Sequence, residues 1–147
     1  MDSAPPNGVF SLVYLSRAPL PLDAQTIDDI AITSALTNAS IDVTGYLTYS
    51  EPRFVQYLEG PRDAVTGLLE KIELDQRHDM TRVVELGDSE RRFPDWSMHL
   101  LGPLSHAAGG PIETMFELLS MSSKGSSDDE LLAESLRDLA NKISDGQ

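Results

Sequence analysis

The stretch VTGYLTYSEPRFVQYLEG, Val43 to Gly60, decides the architecture. Valine, threonine, tyrosine and phenylalanine sit well on a pleated surface and fill both halves of it, while Glu51-Pro52-Arg53 interrupts them where a chain reverses. The pattern predicts two strands, Val43 to Ser50 and Phe54 to Glu59, paired as an antiparallel hairpin. Alternation puts Phe54, Gln56 and Leu58 on one face of the second strand, so an amide interrupts two large apolar side chains.

Upstream, the run FSLVYLS carries Phe10, Leu12, Tyr14 and Ser16 on one side and Ser11, Val13 and Leu15 on the other. Apolar residues on both sides predict a strand buried on both faces, with the polar end of Tyr14 pointing into the protein. After the PLPL turn, Asp23 is a candidate N-cap, and Ile27, Ile30, Ala31, Ser34 and Asn38 follow at helical spacing as an inward stripe. Ser34 and Asn38 are polar where a plain core would be apolar. Downstream, Val65, Leu68, Leu69 and Ile72 mark a second helix from about Asp63 to Leu74, with Lys71 and Asp75 an i, i+4 pair near its end. Two further strands are expected, Thr81 to Leu86 and Trp96 to Leu101, the last with Trp96, Met98 and Leu100 pointing the same way.

The order βαββαββ predicts an α+β, ferredoxin-like sandwich whose sheet is covered on one face by two helices. The tail supplies a cover for the other face. Ile112, Met115, Phe116 and Leu119 form one amphipathic stripe, and Leu132, Ser135, Leu136, Leu139 and Ile143 a second, opened by a capping box from Ser127 to Glu130. Residues 1–8 read as a disordered lead, 9–102 as the folded domain and 103–147 as a helical extension.

Composition narrows the chemistry. The 147 residues carry 11 Lys+Arg against 24 Asp+Glu, a formal charge of −13 that repels phosphate backbones and anionic lipid, so neither nucleic acid nor membrane is an expected partner. No basic lead precedes an apolar run, and nowhere do the ~18 apolar residues that span a bilayer occur together, so a cytoplasmic location is expected. The absence of Cys removes disulfides, thiolate metal sites and photochemistry through a cysteinyl adduct. His78, His99 and His106 are too scattered for metal ligation.

Tyr14, Ser34, Asn38 and Gln56 are expected to face one interior region from two strands and a helix. Buried polar groups need partners. Either these four satisfy one another, or something polar sits among them.

The blocks LVYLSRA, the helix end Ser34-x-x-x-Asn38, VTGYLTYS, FVQYLEG, DQRH at Asp75 to His78 and RRFPDWSM together resemble the BLUF family of blue-light sensors using flavin. They cover Val9 to about Gly102, and six blocks in order are far more specific than any one of them. The resemblance implies a non-covalently bound flavin, FAD as the usual form with FMN or riboflavin sharing the same ring. It implies Tyr14 as electron and proton donor, Gln56 as the switching amide, Asn38 as ring anchor and Ser34 as its neighbour. It adds Lys71, Asp75, Arg77 and His78 as outer cofactor contacts, and Trp96 with Met98 as the pair that reports the change outward. Thr37 departs from relatives that carry a bulkier group before the anchor.

No catalytic role is expected for the chain itself, since Pro103 to Gln147 is short for a catalytic output domain. Output then passes to a downstream protein partner or through a change of homo-oligomer. The alternative is a light-independent α+β regulatory or ligand-binding module whose polar cluster is structural. An acyl-phosphate hydrolase of similar fold would need an anion-cradling Gly-rich loop before a helix, which the sequence lacks.

Overall fold

The computed structural model describes residues 8–18, 23–50, 53–74, 79–101, 111–121 and 129–145. Its elements are β1 (Gly8–Arg17), α1 (Ala24–Ser40), β2 (Thr44–Ser50), β3 (Arg53–Gly60), α2 (Arg62–Glu73), β4 (Asp79–Glu90), β5 (His99–Leu101), α3 (Pro111–Met121) and α4 (Asp129–Asp145). The sheet order is β4-β1-β3-β2-β5. The first four strands pair antiparallel, and β5 adds a short parallel edge beside β2. This is the ferredoxin-like arrangement with one strand appended. The central ladder sets Tyr14 directly opposite Gln56.

Burial follows the alternation of the strands. On one face Phe10, Leu12, Tyr14, Phe54 and Leu58 pack with Ala31 of α1, Val65 of α2 and Met98. On the other, Val13, Leu15, Tyr46 and Tyr57 pack with Phe93, with Met115, Phe116 and Leu119 of α3, and with Leu132, Leu136, Leu139 and Ile143 of α4. A sheet with both faces apolar needs two covers, and the chain supplies two helix pairs.

Local signals fix where α1 starts and stops. The Asp23 carboxylate accepts from the Thr26 amide at 2.8 Å, which caps the N-terminus. At the other end the Asn38 carbonyl accepts from the Ile41 and Val43 amides, and Asp42, at φ 61, turns the chain toward β2. Asn38 therefore lies in the last turn of α1 with its side chain buried.

Four expectations are corrected. β4 runs from Asp79 to Glu90, well beyond Thr81 to Leu86. The last strand begins only at His99, so Trp96 and Met98 precede it. They also do not share a face: Met98 joins the cluster under α1 and α2, and Trp96 packs against the cluster under α3 and α4. The cause is a turn at Pro94 and Asp95, after which the 96–98 segment runs without strand pairing and alternation does not hold. Ser135 is exposed, and Ala133 and Ala140 take the buried positions beside the leucines of α4. The capping box at Ser127 and the side chains of Leu100 and Ile112 lie outside what is described.

Candidate functional site

The site is built on β1 and β3. Tyr14 and Gln56 face each other across the ladder on the α1/α2 side, 3% and 3% exposed. The Tyr14 hydroxyl donates to Gln56 Oε1. The other end of the amide, Nε2, donates to the Met98 sulfur at 3.2 Å. A phenol, an amide and a thioether thus form one buried chain, and the amide is its only member with both a donor and an acceptor end in fixed places.

A second amide grips the same segment. Asn38 Nδ2 donates to the Ser97 carbonyl at 3.1 Å, while the Gly45 amide donates to the Trp96 carbonyl at 2.8 Å. Three consecutive residues, 96–98, are therefore held by Gly45, Asn38 and Gln56 in turn. Gly45 is required where it stands: at φ 153, a Cβ there would lie 1.8 Å from the Tyr57 carbonyl oxygen.

Two buried polar atoms have no partner among the described residues, Asn38 Oδ1 and Ser16 Oγ. Ser16 lies two residues beyond Tyr14 on the same side of β1, in a strand the sequence read as buried on both faces. An unpaired buried amide oxygen costs a few kcal/mol unless something donates to it.

The other expected site residues divide. Ser34 lies on α1 four residues before Asn38, half-buried, and makes no hydrogen bond to the Tyr14–Gln56 chain among the described residues. Lys71 is exposed in the last turn of α2, where its charge suits the helix dipole. Asp75, Arg77 and His78 lie outside the described residues. Trp96 stacks on Phe93, centroids 5.1 Å apart and planes 16° off parallel, on the far side of the sheet from Gln56.

Sequence reading missed one cluster entirely. Glu59 of β3 is fully buried, and its carboxylate accepts from the Thr44 hydroxyl, the Tyr57 hydroxyl and the amides of Arg92 and Phe93. Burial, with the Glu59 charge beside it, pushes the Tyr57 phenol above its ordinary range, opposed by the Arg92 guanidinium. The Tyr46 phenol is raised by burial too, and its ring stacks on Tyr57 at 5.4 Å. A charged residue inside a strand buried on both faces was the available signal. Among the described residues no cluster of His, Cys, Asp and Glu could hold a metal, and no helix is long and apolar enough to cross a membrane.

Comparison with known proteins gives this geometry its context. A photoactivated adenylate cyclase subunit beta of Euglena longa is 38% identical over 90 residues, which is 60% of this chain and 10% of that protein. The chain thus spans about a tenth of the length of that relative. Among solved structures, the dark state of the BLUF protein BlrB is 29% identical with a TM-score of 0.69, covering 96% of this chain and 98% of that one. A bacterial light-regulated adenylyl cyclase is 26% identical with a TM-score of 0.64, covering 87% of this chain and 40% of that one. Residues 9–99 match the family described as sensors of blue-light using FAD, and the chain belongs to the BLUF family.

Proposed function

We propose that this chain senses blue light through a flavin held on the α1/α2 side of the sheet, and that its switch is the Tyr14–Gln56–Met98 chain. The observation that carries the proposal is the order of donors along that chain: a buried phenol donates to an amide whose own donor rests on a thioether.

The residues suit a flavin. Asn38 Oδ1 is a buried acceptor in want of a donor, and the imide N–H of an oxidised flavin ring is such a donor. We assign Asn38 as the ring anchor, with Ser34, Lys71, Asp75, Arg77 and His78 as further contacts and FAD as the flavin form. When bound and excited, an oxidised flavin supplies an electron acceptor. Tyr14 is placed to serve it: a phenol with pKa near 10 keeps its proton at neutral pH, and here its O–H is already directed at Gln56 Oε1, which can receive the proton. Electron and proton can then leave Tyr14 together.

Gln56 converts that event into a lasting change. A half-turn of the amide exchanges its two ends, so that Nε2 donates to the Tyr14 oxygen and Oε1 faces the Met98 sulfur. A thioether has no proton to give. The turned amide keeps Tyr14 and loses Met98, and its buried oxygen must seek another donor. A rearrangement between two side chains thereby becomes a loosening of the 96–98 segment, which Asn38 and Gly45 hold by its carbonyls.

Output passes through Trp96, on the opposite face, to α3 and α4 and from there to a protein partner or a second copy. We treat 9–102 as the sensor and 103–147 as its output extension, acting in the cytoplasm with no catalysis of its own. The test is substitution at both ends of the switch. Gln56→Leu and Tyr14→Phe should each retain flavin and lose the light-induced spectral shift; a preserved photocycle in either variant removes that residue from its role.

A further inference from the structure

We infer that Tyr57, Glu59 and Arg92 form a polar lock fastening α4 to β3, with Arg92 as the positioning residue that holds the helix. Gln56 and Tyr57 are consecutive on β3 and face opposite sides, one toward the switch and one toward the α3/α4 cover. The Tyr57 hydroxyl donates to Glu59 Oε1 at 3.0 Å and accepts from Arg92 Nη1 at 2.9 Å. A buried carboxylate and a guanidinium are thus joined through one phenol, and the Arg92 amide closes the loop on Glu59 at 2.9 Å.

From the same residue the lock reaches α4. Arg92 Nε donates to Asn141 Oδ1 at 2.6 Å, and the Ser144 hydroxyl donates to the Arg92 carbonyl at 2.7 Å. Arg137 makes a separate tie, to the Leu86 carbonyl of β4 at 3.0 Å. Among the described residues, the Arg92 tie shares groups with the strand that carries Gln56 and the Arg137 tie does not. Charged groups in a low-dielectric interior are costly to leave short of partners, so loss of the Tyr57 hydroxyl weakens the grip on Arg92 and through it on α4.

The lock rests on the light-sensing proposal only for its response to illumination. The experiment is backbone hydrogen exchange on the flavin-loaded full chain, in the dark and under blue light. It compares wild type with Tyr57→Phe, which keeps the ring stacked on Tyr46, and with Asn141→Ala/Ser144→Ala, which alters only the helix surface. Each variant removes two of these bonds, at least one of them charge-assisted, so in the dark each should speed exchange across Leu136 to Ile143 by about tenfold or more. Combining all three substitutions should add little, because they break one coupled unit. Exchange within about twofold of wild type in Tyr57→Phe, or fully additive effects, overturns the lock. In the light, wild type should show faster α4 exchange that the Asn141/Ser144 variant no longer gains, with the spectral shift intact in both. A wild type without a spectral shift refutes the photochemical proposal, while the dark comparison still decides the lock.

Discussion

Glu59→Gln changes one atom of a buried site and should cost a large part of the fold's stability. Four donors converge on the carboxylate, Tyr57 Oη and the Arg92 amide at Oε1, Thr44 Oγ1 and the Phe93 amide at Oε2. A glutamine keeps one oxygen, so whichever way it turns, one hydroxyl and one backbone amide meet an NH2 group; the hydroxyl can turn to accept, but the amide cannot. A hydrogen bond to a charged group contributes about 1.5–3 kcal/mol, so the orphaned amide together with the loss of charge at the remaining bonds amounts to about 3–6 kcal/mol. A domain of this size has about 5–15 kcal/mol in total. At roughly 3 °C per kcal/mol, the midpoint of thermal unfolding should fall by about 10–20 °C. Far-UV circular dichroism of wild type and variant, both flavin-loaded, measures it. A midpoint within about 3 °C of wild type would mean that the four donors find equal partners elsewhere and that the carboxylate does not hold the cluster.

Asn38→Ala removes both the bond to the Ser97 carbonyl and the proposed ring anchor; the ratio of flavin to protein after gel filtration should drop, and an unchanged ratio places the anchor elsewhere. Gly45→Ala drives a Cβ into the Tyr57 carbonyl and should cost about 3 kcal/mol or more in urea unfolding, whereas an unshifted midpoint would show that β2 and β3 separate without strain. Alkaline pH provides a further check. Burial keeps the Tyr57 phenol protonated above the ordinary value of 10.0, so above that pH the folded chain binds more protons than the unfolded one. Stability is therefore full below about pH 10 and falls as the pH rises. Tyr57→Phe should flatten that fall, and an identical slope in the variant would assign it to other groups.

Much of the fold is local and was legible. The two-sided strand from Phe10 to Ser16, the Asp23 cap and the hairpin all announce themselves through neighbouring residues, and alternation turns Tyr14 and Gln56 inward, while the register that sets them opposite each other comes from the fold. The segment from Arg91 to Met98 did not. Trp96 and Met98 would share a face in a strand, but their carbonyl and side-chain partners come from β2 and β3, so tertiary contacts set the path. Glu59 is similar: the amides that hold it lie 33 and 34 residues along, beyond any periodic pattern. Alternation and the expected tail cover mark both faces of β3 as buried, but they say nothing of which donors would meet a carboxylate there. Ser34 and Lys71 entered through the family blocks, which give residue type and not the distance of a side chain from Gln56.

The most direct test of the switch is a visible absorption spectrum of the flavin-loaded protein in the dark, under blue light and during recovery. A turned Gln56 amide alters hydrogen bonding around the ring and leaves its oxidation state as it was after Tyr14 recovers its electron and proton. Blue light should therefore give a small red shift without bleaching, which relaxes in the dark. A flavin spectrum that blue light leaves unchanged, or one that bleaches without shifting, contradicts it.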